Sequence, residues 1–432
     1  MEFQKWLTPG LRVKRWLVLL GLGITLLALG LAYSLVDLYR TLTVPEFVYY
    51  LTLQFVPRSG RAALFALLGS ACVVGGVIGL NRSLLSAAAR AASGTPIVDA
   101  LHRRRTERGP RVVAIGGGTG LSTLLRGLKV YTSNLTAIVT VADDGGSSGQ
   151  LRRQLGVPPP GDFRQCIAAL AEAEPLMTQL LEYRFQEGAS LGGHAFGNLL
   201  LVAMQRITGS FEEGLRESSR VLNVRGRILP ATLMDVTLSA ELVNAEVIHG
   251  ESALPHGGAA IERVFLAPAA PPAYPEALDA IHDADLVVIG PGSLYTSVLP
   301  NLLVPELTEA LRTTGALRVY VTNVASQPGE TDGYTLKDYL AALQRHVGEL
   351  PFDYVLVNSH LVALPVAWGV TQVGPEAAAE GYGVPVVAVD VLDLSRPTRH
   401  DPRQLAERLL ALYQHSRPPR FARRNGNGRL AV

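Results

Sequence analysis

The sequence predicts an α/β fold with a mostly parallel sheet, preceded by two apolar segments long enough to be transmembrane helices. From Arg111 onward, short β-branched apolar runs alternate with segments of helical periodicity. One such segment separates the first two runs, and this spacing is typical of a βαβ unit with parallel neighbouring strands. The apolar runs of the N-terminal fifth account for the positive mean hydropathy, +0.23, of the 432-residue chain.

These patterns divide the chain into a membrane hairpin at 1–82, a basic linker at 83–110, an α/β domain at 111–415 and a disordered basic tail at 416–432. The hairpin is predicted from two apolar runs, 16–36 and 62–80, which contain no Asp, Glu, Lys, Arg or His. Each is close to the ~20 residues that span a bilayer. The basic linker either lies on anionic lipid or is a solvated charged segment, and the sequence leaves both alternatives open.

The distribution of charge predicts the orientation of the hairpin. Lysine and arginine are concentrated before the first apolar run and after the second, so both ends are expected in the cytoplasm. The chain is therefore predicted to be a multi-pass protein of the inner cell membrane whose soluble domain lies in the cytoplasm. The net charge of only +2 at pH 7 predicts no nucleic-acid partner.

The two cysteines, Cys72 and Cys166, form no metal-spaced set and support no disulfide framework. The sequence does not determine the oligomeric state, and a homodimer is one of the alternatives.

The first strand of the domain is predicted to end in an anion-binding loop. The stretch RVVAIGGGTG places an apolar strand, 111–115, directly before five small residues and a helix at 121–130. Glycines let the backbone approach a phosphate, and the amides and dipole of a helix N-terminus favour negative charge. The loop residues are Gly116, Gly117, Gly118, Thr119 and Gly120. A tight turn without ligand is the alternative.

Two common nucleotide-binding motifs are absent from this loop. No Lys-Ser/Thr pair closes it, so it is not a P-loop. The spacing G-x-G-x-x-G fails from Gly116 and from Gly118, because Leu121 and Thr123 occupy the third glycine position. The broken fingerprint disfavours an NAD-dependent oxidoreductase.

The second strand, predicted at 135–141, ends in the sequence ADDGGSSG. Parallel strands end at the same edge of a sheet, so this loop is expected beside the glycine loop. Asp143 or Asp144 is predicted to bind ribose or a divalent metal, with Mg²⁺ the candidate ion. Adjacent residues of an extended chain point in opposite directions, so only one of the two should contact the ligand. A polar turn with a capping aspartate is the alternative.

Three more residues are candidates in the next segment. Asp162 is predicted to be the N-cap of a helix that runs to about Arg184, and capping alone is a sufficient explanation for it. His194 and Asn198 lie four residues apart and are expected on one helix face. This pair either contacts a ligand or has a structural role.

The middle of the domain has β character without helices between the strands. Strands are predicted at 227–229, 236–242, 246–249 and 261–266 and are expected to form an antiparallel addition to the core. Alternation of helix and strand then resumes. The remaining strands are predicted at 285–289, 317–322, 352–358 and 384–390, and helices at 211–222, 274–282, 304–313, 336–346 and 402–414.

The strand at 285–289 is predicted to end in a second anion-binding loop, with an ordinary loop as the alternative. Glycine supplies close approach and hydroxyl groups supply donors here. Its candidate residues are Gly290, Gly292, Ser293 and Thr296, with Asn323 at the end of the next strand.

Several long motifs carry a resemblance to a known family. AIGGGTGLSTLLRGLK, VTVADDGGSSGQLRRQLGVPPPGDFRQC, GHAFGNLLLVAM, VIGPGSLYTSVLPNLLVPEL and TNVASQPGETDGYT resemble the bacterial YvcK-type gluconeogenesis factors. Those proteins belong with the archaeal 2-phospho-L-lactate transferase, CofD, in one superfamily. The likeness runs from about Arg111 to Asp390, and the membrane hairpin lies outside it. The resemblance implies a Rossmann-like three-layer sandwich.

The resemblance also implies two alternative functions. One is a regulator of cell shape and envelope synthesis, linked to gluconeogenic growth, that binds a nucleotide-sugar such as UDP-N-acetylglucosamine. The other is a transferase that moves a phosphoryl-linked group from a nucleoside diphosphate carrier to an alcohol with the help of a divalent metal. The motifs carry ligand contact over to Gly117, Gly118, Thr119, Gly120, Asp143, Asp144, Asp162, His194, Asn198, Gly292, Ser293 and Asn323. No catalytic residue is assigned.

Overall fold

The computed structural model describes residues 19, 21–29, 55–88, 106–172, 174–186, 191–376 and 381–416. The chain divides into two compact units, Met1–Glu107 and Arg108–Val432, and each is described by itself.

The first unit contains one long helix, α1 (Arg58–Ala88), and a helical segment at 19 and 21–29. Among the described residues, only Ser59–Gly76 of α1 is long and apolar enough to cross a membrane. The described part of the predicted first span, 16–36, is helical, and the rest of that span lies outside the described residues. So do most of the predicted linker and nearly all of the predicted tail.

The helical segment 21–29 and α1 approach each other at glycines. A Cβ atom built on Gly23 would lie 3.0 Å from the Cβ of Cys72. A Cβ built on Gly69 would lie 2.9 Å from the Cγ of Leu27. Large aliphatic side chains of both segments are exposed, with Ile24 at 57% and Leu67 at 73%. Contact through small residues with exposed aliphatic side chains around it is typical of helices that pack in lipid.

The second unit is built on a seven-stranded sheet with the order β10-β9-β8-β7-β1-β2-β3, in which every neighbouring pair is parallel. The remaining three strands form a separate antiparallel sheet with the order β5-β4-β6. The strands in the described residues are β1 (Val112–Gly116), β2 (Leu135–Val139), β3 (Arg227–Pro230), β4 (Thr237–Leu242), β5 (Val247–His249), β6 (Ile261–Ala267), β7 (Leu286–Ile289), β8 (Leu317–Val321), β9 (Tyr354–Asn358) and β10 (Val386–Val389).

Helices cover the sheet and bury its central strands, whereas the edge strand β10 is only half-buried. The described helices of this unit are α2 (Gly118–Leu128), α3 (Gly146–Leu155), α4 (Gly161–Leu170), α5 (Glu174–Glu182), α6 (Phe196–Thr208), α7 (Phe211–Val221), α8 (Pro275–His282), α9 (Leu299–Leu302), α10 (Pro305–Thr313), α11 (Leu336–Val347) and α12 (Pro402–Ser416). The four leucines of α2 are fully buried, and this helix packs on α4 and α12. The predicted α/β class with a mostly parallel sheet is confirmed, and the architecture is Rossmann-like.

The strand order reverses direction beside β1. The chain runs outward from β1 through β2 to β3, and then returns to place β7 on the opposite side of β1. The loops that follow β1 and β7 therefore leave two neighbouring strands at the same edge of the sheet and run in opposite directions. In open α/β sheets this reversal leaves a crevice outside the carboxyl ends of the strands, where ligands bind.

Two predictions about the middle of the domain were wrong. The strand at Arg227 was expected in the antiparallel block, yet β3 pairs in parallel with β2. Five helices separate β2 from β3 and return the chain to the same direction, as a parallel connection requires. The helix expected from Asp162 to Arg184 is two helices, α4 and α5, and Pro175 lies in the first turn of α5, where its missing N–H is tolerated.

Replacing Gly127 with alanine tests how closely α2 packs on α12. Alanine is the better helix former, but a Cβ at this position would overlap the carbonyl oxygen of Pro402. We expect Gly127→Ala to lower the free energy of unfolding by about 2 kcal/mol, because backbone atoms have to shift. Chemical denaturation measures this change. Gly315→Ala is the control, since a Cβ on this exposed glycine meets nothing within 4 Å; equal stability of the two variants would contradict the packing.

Candidate functional site

The loops after β1 and β7 are held together by backbone and side-chain contacts. The amide of Gly290 donates to the carbonyl of Ile115 at 2.8 Å. The side-chain amide of Asn301, which is fully buried, donates to the carbonyl oxygens of Gly116 at 3.1 Å and Ser297 at 2.7 Å. The two predicted anion-binding loops therefore form one unit at the reversal of strand order.

A cleft of about 540 Å³ opens over this unit. It extends along the carboxyl edge of the sheet, past the ends of β2, β1, β7 and β8. The residues that line it are Gly117, Gly118, Thr119, Gly120, Thr123, Thr140, Asp143, Asp162, Gln165, Glu251, Pro291, Gly292, Ser293, Thr296, Ser297, Asn323, Val324, Ala325, Ser326, Gln327, Pro328, Val370, Thr398, Arg399 and His400. Most of the residues predicted from the two glycine loops are in this set, and Gly116 and Gly290 lie directly behind it.

The glycine loop presents the start of α2 to the cleft. Gly118 has a φ of +60°, a left-handed conformation that favours glycine, and the N-cap residue Gly117 has no side chain with which to cap α2. The amide of Gly118 donates to the carboxyl group of Asp162. A Cβ on Gly117 would lie only 2.5 Å from Oδ2 of Asp162, so glycine is required by the close approach. Asp162 was predicted to cap its own helix, but it lies in the first turn of α4 and contacts the start of α2 instead.

The loop after β7 is fixed by a residue that the sequence interpretation did not single out. Gln327 donates from Nε2 to Oγ of Ser293 at 2.6 Å and accepts at Oε1 from Nδ2 of Asn323 at 3.0 Å. Oδ1 of Asn323 in turn accepts from the amide of Gly292 at 3.3 Å. The sequence could have indicated Gln327 through the motif QPGETDGYT, because this polar loop follows soon after β8 and Asn323.

The adjacent carboxylates Asp143 and Asp144 point in different directions, as their positions in extended chain predicted. Asp143 lines the cleft and accepts from the amide of Gly145 at 2.9 Å. Asp144 is not among the lining residues, and its Oδ1 accepts from the amide of Ser252 at 2.8 Å. Asp144 therefore holds the loop to the antiparallel block, and Asp143 is the one placed to contact a ligand.

His194 and Asn198 lie behind the cleft wall. Both are buried, and neither lines the cleft. The Oγ of Ser147 lies 3.0 Å from Nδ1 of His194 and accepts from Nδ2 of Asn198 at 3.1 Å. These bonds position the serine loop at the start of α3. The two residues were expected on one helix face, but α6 begins at Phe196 and His194 precedes it. They are brought together by their shared contact with Ser147. Direct ligand contact by either residue stays a prediction.

Two carboxyl groups that line the cleft, and one beside the loop after β7, have raised pKa values. Burial, followed by the charge of Asp143, raises the pKa of Asp162 to about 7. Burial and the neighbouring carboxylates, Asp143 first, raise the pKa of Glu251 to about 8. Burial raises the pKa of Glu330 to about 7, and its Oε2 is buried without a hydrogen-bond partner. Glu251 comes from the antiparallel block, so sequence spacing gave no signal for it.

The carboxylates do not form a complete metal site. Within the part of the chain that is described, no group of three or more His, Cys, Asp or Glu side chains is arranged to hold a metal ion. Asp143 and Asp144 diverge and do not fit a shared ion. Asp143 and Asp162 fit Mg²⁺ better, because both line the cleft and their charges interact. Protein Mg²⁺ sites often use one or two carboxylates together with phosphate oxygens of the ligand.

The fold and the cleft define a class: Rossmann-like α/β proteins with a glycine-lined cleft at the reversal of strand order in a parallel sheet. Comparison with known proteins specifies the family within this class. The model of the family "2-phospho-L-lactate transferase CofD" matches residues 112–391. The chain belongs to this CofD family and, within it, to the group of gluconeogenesis factors.

Some relatives match nearly the whole chain, and others match a shorter part of it. A putative gluconeogenesis factor of Nostoc sp. is 45% identical over 95% of this chain and 93% of its own, so this match includes much of the N-terminal unit. The gluconeogenesis factor of Bacillus subtilis is 53% identical over 58% of this chain and 79% of its own. A crystal structure of a UPF0052 family member from Bacillus halodurans is 46% identical and has a TM-score of 0.67. It covers 70% of this chain and 99% of that one.

Stability should depend on the protonation of Asp162. Its pKa is raised from 3.8 to about 7, so the folded state holds a proton that the unfolded chain releases at lower pH. The stabilisation is therefore complete at acid pH and is lost as the pH rises through about 7. Asp162→Asn keeps an acceptor for Gly118 and removes the charge. We expect this variant to be about 2–4 kcal/mol more stable than the natural chain at about pH 8, with a smaller difference at about pH 5.

Denaturant unfolding across this pH range measures the effect. Asp279→Asn, at an exposed carboxylate on α8, is the control and should leave the pH dependence unchanged. If the free energy of unfolding of Asp162→Asn changed with pH as steeply as that of the natural chain, the Asp162 carboxyl group would be ionised over the whole pH range measured.

Proposed function

We propose that the cleft binds the diphosphate of a nucleotide-sugar, and that the chain is a membrane-attached regulator of cell shape and envelope synthesis during gluconeogenic growth. The observation that carries the proposal is the contact between the two glycine loops at the reversal of strand order. Exposed amides at a helix start attract phosphate, and this site joins them to the hydroxyl groups of a second loop. Family membership supports the choice of ligand and of cellular role.

The distribution of side chains supports an extended, amphipathic ligand. The amides of Thr119 and Gly120 at the start of α2 suit the phosphates, with the hydroxyl group of Ser293 on the second loop. Carboxyl groups such as Asp143 are acceptors for sugar hydroxyls. A volume of about 540 Å³ falls within the range of ~300–1,000 Å³ that is typical of small-molecule sites.

Changing the charge beside the loops tests the proposal. We expect the full chain in detergent to bind UDP-N-acetylglucosamine saturably in calorimetry. Ser293→Asp should weaken binding by about tenfold or more, because it places a negative charge beside the phosphates. Ser293→Asn is the matched control, equal in size but neutral, and should retain most of the affinity. A natural chain that binds no nucleotide-sugar would refute the proposal.

The cellular role has its own readout. Loss of the chain should alter cell shape on a gluconeogenic carbon source, and the Ser293→Asn variant should restore the shape better than Ser293→Asp. Equal complementation by the two variants would separate the cellular role from ligand binding.

A transferase is the second candidate. The match to the CofD family model and the carboxyl groups that titrate near neutrality favour it, since such groups suit acid–base catalysis. The group transferred would pass from a nucleoside diphosphate carrier to an alcohol, with release of the nucleoside monophosphate. Mg²⁺ held by Asp143 and Asp162 would neutralise negative charge on the phosphates. Release of the monophosphate only when both carrier and alcohol are present would favour this function over the regulator.

We propose further that the N-terminal unit anchors the chain in the inner membrane as a hairpin of two helices. The close approach at Gly23 and Gly69 and the exposed aliphatic side chains of α1 support this assignment. Leu67→Arg places a charge on the exposed face, which costs about 2.5–3.5 kcal/mol at the centre of a membrane helix. We expect this variant to shift toward the soluble fraction after alkaline extraction, while Leu67→Phe stays with the membrane. Extraction of the natural chain by alkali alone would contradict the anchor.

A further inference from the structure

A buried histidine lines the cleft near the end of β8. His400 belongs to the segment between β10 and α12, and this segment is closed by the bond from the amide of Asp401 to the carbonyl of Val391, at 2.8 Å. The His400 side chain is 7% exposed and lines the cleft. Its Nε2 is buried and has no hydrogen-bond partner.

The other ring nitrogen of His400 fixes the tautomer. The ring forms a hydrogen bond with the backbone of Thr322, and this bond raises the pKa, as a carbonyl acceptor does. Because Nε2 has no partner, the bond is made by Nδ1, which carries the proton. Burial outweighs the bond and lowers the pKa of His400 to about 4, so the ring is neutral at physiological pH. Nε2 is therefore a hydrogen-bond acceptor.

An acceptor buried without a partner is costly. The atom loses its bond to water without gaining another, and buried polar groups are normally paired. Three residues that line the cleft with His400 are apolar: Val324 and Ala325, which follow Thr322 in the chain, and Val370. A flat, weakly polar ring with one donor at its edge matches such surroundings better than a phosphate does, because phosphate oxygens are acceptors too.

We propose that Nε2 of His400 accepts a hydrogen bond from the nucleoside half of the ligand, and so selects a nucleoside with a donor at that position. The inference rests on the proposed function and adds an orientation to it. The nucleoside lies at the end of β8, the diphosphate lies over the loops after β1 and β7, and the sugar lies beside Asp143 at the end of β2. Two donors share the required chemistry, the imide N–H of uracil and a ribose hydroxyl.

Two substitutions separate the acceptor from the structural bond. In His400→Asn the side-chain amide takes the place of Nδ1 and keeps the bond to Thr322, but the acceptor at Nε2 is lost. His400→Gln places an amide oxygen near the position of Nε2. With the full chain in detergent and UDP as the probe, we expect His400→Asn to bind about tenfold more weakly than the natural chain, and His400→Gln to retain more of the affinity. The melting temperature of the unliganded His400→Asn variant should stay close to that of the natural chain.

Modified nucleotides identify the donor. Methylation of the imide nitrogen of UDP should weaken binding to the natural chain, and should weaken it less for His400→Asn, if uracil supplies the donor. Removal of the ribose 2′-hydroxyl should show this pattern instead if ribose supplies it. Equal affinity of the natural chain and His400→Asn for UDP would overturn the inference and leave the proposed function intact. Failure of the natural chain to bind either UDP or UDP-N-acetylglucosamine would refute both.

Discussion

The close approach of two backbone loops at the reversal of the sheet is the constraint on which the rest of the structure depends. β1 and β7 are hydrogen-bonded neighbours, and the chain leaves them in opposite directions. Asn301 bonds to a carbonyl of each loop, and Gly120 lies against the carbonyl of Pro291 with no room for a side chain. The start of α2 is thereby fixed in the wall of the cleft, with its Gly118 amide bonded to Asp162.

This arrangement places several carboxyl groups close to one another, which explains their raised pKa values. The amides at the start of α2 attract anions, yet Asp162 occupies part of the same space and Asp143 and Glu251 lie beside it. Together these groups raise one another's pKa values, since ionising all of them in a partly buried cleft is unfavourable. A phosphate enters such a site most favourably when protons or a divalent ion neutralise the carboxylates. Under the proposed function, binding of the diphosphate would therefore be linked to uptake of a proton or a cation.

The antiparallel block and the segment before α12 complete the cleft from outside the central sheet. Glu251 lies in the short helix after β5, and Asp144 fastens that helix to the end of β2. His400 reaches the cleft from a segment near the C-terminus. The central sheet thus supplies the two glycine loops, and the segments outside it supply Glu251 and His400. This division of roles is common in α/β proteins, where specificity lies in loops on a rigid scaffold.

The sequence by itself determined the α/β class, the parallel strands and both glycine loops, because apolar runs, helical periodicity and glycine clusters are local signals. It also determined that only one of Asp143 and Asp144 turns to the cleft. Only the tertiary structure decided that β3 joins the parallel sheet, that Asp162 contacts the start of α2, and that Glu251, Gln327 and His400 converge on one cleft. Those contacts join residues far apart in the chain, and their energies depend on burial and neighbouring charge, which no local pattern encodes.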